Sequence, residues 1–295
     1  MDKYKTRATI DKEGFLSTFI MTKKNGKRRP SIRFYRWLSI FVINILFVLS
    51  YRIDFQMLEG SLTGSRFLGF HLIDPFITLE TLVAHHSLHI NLIIGTITIV
   101  IFYFFVGGRA FCSWVCPYNI LGEISEKIHR RLIKKKLIKS YEFSPKIKYI
   151  FWAMFLFFAF ISGYLVFEII NPVGIFSRAI IYGWSLALIF VVLLFLSEIF
   201  FSQRAWCRYA CPIGTTYGFI GWTSTMKIKW TDACDHCNVC SDVCLVPHVL
   251  EITKKKETTK SEILITSGDC TMCGRCIDVC HTDALSYESK LKKLI

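Results

Sequence analysis

Four apolar runs set the terms on which this chain can fold. They cover Phe34–Tyr51, His89–Gly107, Tyr149–Phe167 and Gly183–Phe201, each roughly 18–19 residues, the length at which a helix crosses a bilayer. A bilayer offers no water to backbone N–H and C=O groups, so such runs must be helices that satisfy their own hydrogen bonds. Composition agrees: 53% of the residues are hydrophobic, 26 are Phe, and mean hydropathy is +0.42. The 36 Lys and Arg residues alternate along the chain, with eleven in 1–36, two in 52–87, ten in 107–148, one (Arg178) in 168–182 and twelve after Ser202. That alternation is the positive-inside pattern of a four-span protein with both termini in the cytoplasm. It assigns the net charge of +14 to topology and anionic lipid, and argues against a nucleic-acid partner. The first run follows a long basic lead, and no small-residue cleavage site follows Ser50, so it reads as an anchor and not a signal peptide.

The apolar part is duplicated. RAFCSWVCP at 109–117 returns as RAWCRYACP at 204–212, and LIDPF at 72–76 returns as IINPV at 169–173. Each copy reads as helix, outer loop with Asp/Asn-Pro, helix and a Cys-x3-Cys-Pro turn. Two such hairpins should be related by a pseudo-twofold axis along the membrane normal. The spacing puts Cys112 with Cys116, and Cys207 with Cys211, on one face of a helical turn. Pro117 and Pro212 suit the first residue of a new helix. Helix N-termini, with Arg109 and Arg204 nearby, favour thiolates at all four cysteines. Such a quartet suits a further iron–sulfur cluster or metal, the preferred reading, or redox-active dithiols; the duplication counts against the plain alternative of small packing residues. Between the repeats, residues 117–139 carry Ile120, Leu121, Ile124, Ile128 and Leu132 at helical spacing opposite a basic face. This reads as an amphipathic helix on the inner leaflet.

The other eight cysteines repeat C-x2-C-x2-C-x3-C: Cys234, Cys237, Cys240, Cys244 and Cys270, Cys273, Cys276, Cys280. In this ferredoxin spacing the fourth cysteine serves the other cluster. The pattern predicts two [4Fe–4S] clusters, one on Cys234, Cys237, Cys240 and Cys280, the other on Cys270, Cys273, Cys276 and Cys244. Structural zinc sites draw pairs of ligands from separated knuckles instead, and disulfides need an oxidising compartment. Leu245 and His281 stand where the pattern usually has proline. The expected fold is an α-helical membrane protein of four transmembrane helices in two pseudo-symmetric hairpins, with a small C-terminal α+β ferredoxin-like domain. Its expected divisions are a basic segment (1–33), the membrane domain (34–222), the two-cluster domain (223–285) and a tail (286–295).

A chain built this way moves electrons. The first outer connection holds His71, Asp74, Glu80, His85, His86 and His89. Oxidation of a membrane quinol needs proton acceptors beside an apolar slot, and His85 and His89 are expected to share a helix face there. The plain alternative is an interfacial helix whose histidines meet headgroups. Glu198 is the one carboxylate well inside an expected span; one turn from the inner end, it reads as structural and within reach of the interface. No further histidine lies in a second span, which argues against a b-type haem.

GSLTGSRFLGFHLIDPF (60–76), GGRAFCSWVCP (107–117), NPV (171–173), WCRYACPIG (206–214) and SGDCTMCGRCIDVC (267–280) together resemble the NapH-type membrane polyferredoxins over about residues 31–285. The resemblance implies a quinol dehydrogenase component of a periplasmic nitrate reductase system, in the bacterial inner membrane, working with a NapG-like periplasmic ferredoxin-type subunit. The Cys112/Cys116 and Cys207/Cys211 motifs match the family's functional motifs. Related polyferredoxins of nitrous oxide reduction or oxidase copper assembly carry extra domains, for which the chain has no room after Cys280. Amine dehydrogenase accessory proteins share its plan. A rival reading is a maturation factor that spends cytosolic electrons through the Cys-x3-Cys-Pro sites; a third is a membrane anchor whose clusters only shape a docking surface.

Overall fold

The structure is a computed structural model that describes residues 20–22, 28–53, 58–62, 64–67, 70–86, 89–254 and 261–293. Residues 1–19 and 23–27 of the basic N-terminal segment, and 294–295 of the tail, lie outside these. The fold is mostly helical. Helix α1 (Ile32–Ile53) runs 22 residues, includes an 18-residue stretch with a mean hydropathy of 1.7 and is, among the described residues, the one helix long and apolar enough to cross a membrane. The other three apolar runs form shorter helices. They are α3 (Ile90–Val106), α6 (Ile147–Ser162) and α9 (Leu188–Phe200), preceded in the chain by α2 (Pro75–His85) and, between α3 and α6, by α4 (Ala110–Trp114) and α5 (Tyr118–Lys134).

The expected third span is interrupted. At Gly163 the backbone turns to φ 67°, a conformation that favours glycine, and its N–H closes α6 on the Ala159 carbonyl. The chain then forms α7 (Val166–Ile170) and α8 (Pro172–Tyr182) before α9. Large apolar side chains along the long helices face outward: Ile45, Leu46, Phe102, Phe157, Phe160 and Leu193 are all at least half exposed. Exposed large apolar side chains in this number mark lipid or protein contact.

The chain divides into two compact units, Met1–Ser39 with Tyr103–Trp114 and Gly218–Ile295, and Ile40–Phe102 with Val115–Tyr217. In the second unit the repeat becomes physical. Helices α2 and α8 are each 11 residues long and begin with proline. Asp74 caps α2 by accepting the Phe76 N–H at 2.8 Å; Asn171 caps α8 by accepting the Val173 N–H at 3.1 Å. An Asx oxygen on an orphan N–H, followed by a proline that needs no partner, starts a helix cleanly. The Asp/Asn-Pro pairs expected in outer loops are thus buried helix starts, with Asn171 fully buried and Asp74 5% exposed.

In the first unit, strands β6 (Met226–Thr231), β7 (Glu262–Ile265) and β8 (Leu285–Ser289) form an antiparallel sheet ordered β7-β6-β8. Three-residue strands β1 (Ile20–Thr22) and β2 (Arg28–Pro30) pair before α1; strands β3 (Leu58–Ser61), β4 (Gly64–Phe67) and β5 (Phe70–Ile73) belong to the second unit. Helix α10 (Pro212–Thr223) leads into β6, and the short helices α11 (Val239–Val243) and α12 (Arg275–Val279) follow the two cysteine runs. The start of α1 is capped from far along the chain: the Asp278 carboxylate accepts the Ile32 N–H at 3.1 and 3.0 Å. Asp278→Ala should therefore lower stability by about 1 kcal/mol, the usual value of an N-cap. Thermal unfolding in detergent checks this, and an unchanged midpoint would show that the cap is dispensable.

Candidate iron–sulfur sites and the duplicated cysteine motif

The two ferredoxin-type loops are built alike. In each, the residues flanking the second cysteine take left-handed backbone: His236 (φ 55°) and Asn238 (φ 60°) around Cys237, Met272 (φ 53°) and Gly274 (φ 69°) around Cys273. These turns curl each loop, and its third cysteine enters a short helix, α11 or α12. Those helices start with matching bonds, Ser241 N–H to the Asn238 carbonyl and Ile277 N–H to the Gly274 carbonyl, each 3.0 Å. Only Gly274 is glycine because its position is crowded: a Cβ there would lie 2.6 Å from the Tyr287 hydroxyl and 2.7 Å from Ile32.

The cysteines gather in two crossed groups. Cys276 is buried, and its thiol is pushed well up by burial and then by the neighbouring thiols of Cys273, Cys270, Cys244 and Cys240. Cys244, the last cysteine of the first motif, is pushed up by burial and by Cys273 and Cys270 of the second. Burial raises Cys270 to about 11. Cys273 goes the other way: burial is outweighed by the Arg36 and Arg275 charges with a backbone N–H. A cavity is lined by Cys244, Cys270, Cys273 and Cys276, with Ile228 and Leu250 among its apolar wall. The other group joins Cys234, Cys237 and Cys240 to Cys280, whose thiol adds to the upward shifts that burial causes at Cys237 and Cys240. Thiols as crowded and buried as Cys244, Cys270 and Cys276 resist ionisation unless a cation shares the site. An all-sulfur donor set around an apolar-walled cavity fits an iron–sulfur cluster. His281, standing where the pattern has proline, pairs with Asp235 at 2.9 Å. Its ring nitrogen, the Asp235 carboxylate and the Cys237 sulfur lie within 4.8 Å of one another.

The two loops are held differently. The second receives donors from three other segments of its unit. Arg36 donates to the Cys273 carbonyl at 3.1 Å, Arg109 to the Asp269 carbonyl at 3.3 Å, and Trp114 Nε1 and the Tyr287 hydroxyl to the Met272 carbonyl at 3.1 and 2.9 Å. Arg109 also pairs with the Asp269 carboxylate at 3.5 Å, which His248 meets at 2.9 Å. Arg109 and Trp114 bracket Cys112, so the segment carrying that cysteine is fastened to the second loop on both sides.

The other three cysteines of the duplicated motif belong to the second unit. Cys116 and Cys211 both act on Cys207, whose thiol is raised mainly by burial, then by Glu198 and Cys211, with Arg204 opposing. The Cys211 N–H reaches back five residues to the Trp206 carbonyl at 2.9 Å, a π-helical turn over Trp206–Ala210. Pro212 opens α10 as expected, and Pro117 caps α5 with helical angles. The expected ease of thiolate formation is corrected at Cys207. Arg204 is committed elsewhere: its Nε meets Glu126 at 3.0 Å, its Nη1 Asn119 at 2.8 Å and its Nη2 Glu123 at 3.8 Å, with every partner nearly fully buried.

Helix α5 forms within the expected stretch and carries a further face that the sequence reading did not separate. Its buried face is the polar one, with Asn119, Glu123, Ser125, Glu126 and His129 all inside. Its apolar side chains are partly exposed. Glu198 is fully buried and accepts the Ser125 hydroxyl at 3.0 Å, so it does not reach an interface. Sequence reading missed Glu123, Glu126, Asn119 and His129, because which face of α5 turns inward depends on the helices packed against it. The signal available was the coincidence of buried-type spacing in Asn119, Glu123 and Glu126 with a basic partner, Arg204, in the repeat.

The expected quinol-site histidines do not share a helix. His85 ends α2, His86 closes it in a left-handed turn (φ 50°), and α3 begins at Ile90; His85, His86 and His89 are exposed. The buried groups of that connection are carboxylates. Glu80 is 0% exposed; its Oε1 accepts the Phe167 N–H at 2.7 Å, while its Oε2 has no hydrogen-bond partner among the described residues. Phe76 packs edge-on to Phe167 at 5.3 Å, and Phe167 stacks on Trp206, beside Cys207, at 6.5 Å.

Comparison with known proteins agrees with this layout. A family described as "4Fe-4S binding domain" matches residues 88–136 and 182–231, the two repeats, and one described as "4Fe-4S dicluster domain" matches 233–284. "Ferredoxin-type protein NapH" of Haemophilus influenzae is 34% identical over 87% of this chain and 89% of its own length; its Escherichia coli counterpart is 31% identical over 88% and 91%. The chain belongs to the NapH-type ferredoxin family. "Methylamine utilization ferredoxin-type protein MauN" of Methylobacillus flagellatus is 32% identical over 91% of the chain and 95% of its own length. No solved structure matches. The NapH-type chain is thus a ferredoxin-type iron–sulfur electron-transfer protein, and α1 together with the family points to a membrane protein.

Proposed function

We propose that this NapH-type chain is a quinol dehydrogenase subunit of the inner membrane, with four spans and cytoplasmic termini. It passes electrons from the quinol pool toward a periplasmic nitrate reductase through a NapG-like subunit. Two [4Fe–4S] clusters take the crossed cysteine sets, and Cys112, Cys116, Cys207 and Cys211 hold a further centre. The observation that carries the reading is the fastening of the Cys112 segment to the second cysteine loop by Arg109 and Trp114. It gives the duplicated motif a direct structural connection to a cluster site. When bound, such clusters supply one-electron steps over a wide range of potential.

Quinol oxidation also releases protons, and the buried acids of the first repeat are the groups to take them. The second repeat has Asn171 for Asp74 and Ser177 for Glu80; Ser177 is 1% exposed, and its Oγ lacks a partner among the described residues. Both repeats keep the polar positions, and only the first keeps them ionisable. Burial pushes Glu80 up to about 7, partly opposed by the Phe167 N–H, with Glu168 on α7 adding to the rise; Glu168 itself pairs with Arg178 of α8 at 3.3 Å. A proton acceptor must be ionised, so quinol-driven reduction should fall as pH drops below that value.

The test is anaerobic reduction of the purified chain by a short-chain quinol, followed by redox-poised EPR and an iron count. Expected are quinol-driven signals and iron beyond two cubes. Glu80→Gln keeps the acceptor for Phe167 and should slow the reduction by about 10²-fold, the scale of one acid–base contribution. It should also flatten the pH profile, whereas Ser177→Ala should do neither. If every centre titrates far below any quinol, electrons come from the cytosol instead. That second reading, a cytosol-driven reductase or maturation factor, is favoured by one observation: Cys237 is exposed. The MauN kinship leaves methylamine utilization as its setting.

A further inference from the structure

The two cysteine sites differ in access, and the difference fixes an order. The first loop is bonded from within its own domain: His236 to the Thr253 carbonyl at 2.8 Å, and Asp235 to His281. Its Cys237 is exposed. The second loop is enclosed. Cys273, the counterpart of Cys237, is half-buried, and the carbonyls of Asp269, Met272 and Cys273 are covered by Arg109, Trp114, Tyr287 and Arg36. Two of those side chains flank Cys112, and Arg36 lies in the first turns of the apolar helix α1. Gly107, just before that segment, turns at φ 113°, and a Cβ on it would lie 3.0 Å from the Met272 side chain. The Cys112 strip therefore lies flush on the second loop.

We infer that the two clusters work in series, with the cluster of Cys244, Cys270, Cys273 and Cys276 as the membrane-side station and the cluster of Cys234, Cys237, Cys240 and Cys280 as the solvent-side terminal. A water-soluble one-electron carrier meets the chain at the Cys237 face. Electrons pass between that face and the Cys112 segment only through the second cluster, whichever side supplies them. Each transfer moves one electron and no atoms: the donor is oxidised by one and the accepting cluster reduced by one. The inference rests on the two-cluster assignment and uses the quinol reading only as one of its probes.

Single-cluster variants test the order. Cys280→Ala removes a ligand of the terminal cluster, and Cys244→Ala one of the membrane-side cluster; an iron count on each confirms that one cube remains. With a short-chain quinol as donor, Cys280→Ala should reduce its remaining cluster within about twofold of the wild-type rate. Cys244→Ala should lose reduction of its remaining cluster at least tenfold, yet accept electrons from reduced methyl viologen as the wild type does. Equal quinol-driven reduction of both variants, or loss in Cys280→Ala alone, overturns the order. If the wild type takes no electrons from quinol, the functional reading fails and the order is still decided. Rapid-freeze EPR after a viologen pulse on the wild type should show the terminal cluster reduced before the membrane-side one. The same measurement decides if both variants lose all their iron. Simultaneous or reversed appearance sinks the inference.

Discussion

Arg204→Gln is expected to lower stability by about 3–5 kcal/mol, the range found when one partner of a buried ion pair is removed. The guanidinium is 2% exposed and faces Glu126, Glu123 and Asn119, with Glu126 also joined to Arg130. Without it, two buried carboxylates lose a shared counter-charge and the Asn119 side-chain oxygen Oδ1 loses a donor. The fork geometry matters as well as the charge. Lysine reaches one acceptor as a point charge, so Arg204→Lys should recover only part of the loss. Arg204 also sits at φ 52°, at the turn into the Cys207 motif, so its partners hold that turn in place. Thermal unfolding in detergent, followed by circular dichroism, measures the effect. A change below about 1 kcal/mol, the worth of an exposed pair, would mean that water reaches the network.

The second large effect is on metal content. Cys244→Ala and Cys276→Ala should abolish the same paramagnetic component and lower iron by about four atoms, one cube. Cys240→Ala and Cys280→Ala should abolish the other component. The pairing follows from the thiols that press on each other: Cys244 on Cys273 and Cys270, and Cys280 on Cys237 and Cys240. Iron analysis and EPR on the four single variants decide it. If Cys244→Ala instead removes the component lost in Cys240→Ala, each motif holds its own cluster and the crossing is wrong.

Some of this was legible in the chain and some was not, for identifiable reasons. Ligand spacing is local, so the C-x2-C-x2-C-x3-C runs already carried the loops that the structure builds around Cys237 and Cys273. The long apolar runs located α1, α3, α6 and α9. They misjudged the helix ends, because Gly163 stops α6 by a backbone angle that hydropathy does not register. The histidines of the first connection looked chemically apt as residue types. Their placement depended on where α2 stopped, and a left-handed turn at His86 separated them onto the exposed rim. Glu80, one of the six groups the sequence offered there, became a buried acid because α2 turns inward on α6 and α7.

What the sequence determined by itself was composition and local spacing: a mostly helical chain with an apolar N-terminal helix, a duplicated Cys-x3-Cys-Pro motif and two ferredoxin-type cysteine runs. These are properties of residues a few positions apart, set by side-chain polarity and backbone geometry. The tertiary structure decided which distant groups share a buried space. It closed Arg204 on Glu123 and Glu126, set Asp278 as the cap of α1 from 246 residues away, and laid the Cys112 segment on the second cysteine loop. Burial then fixed the chemistry, since the free energy of a charge or an unpaired oxygen depends on what surrounds it.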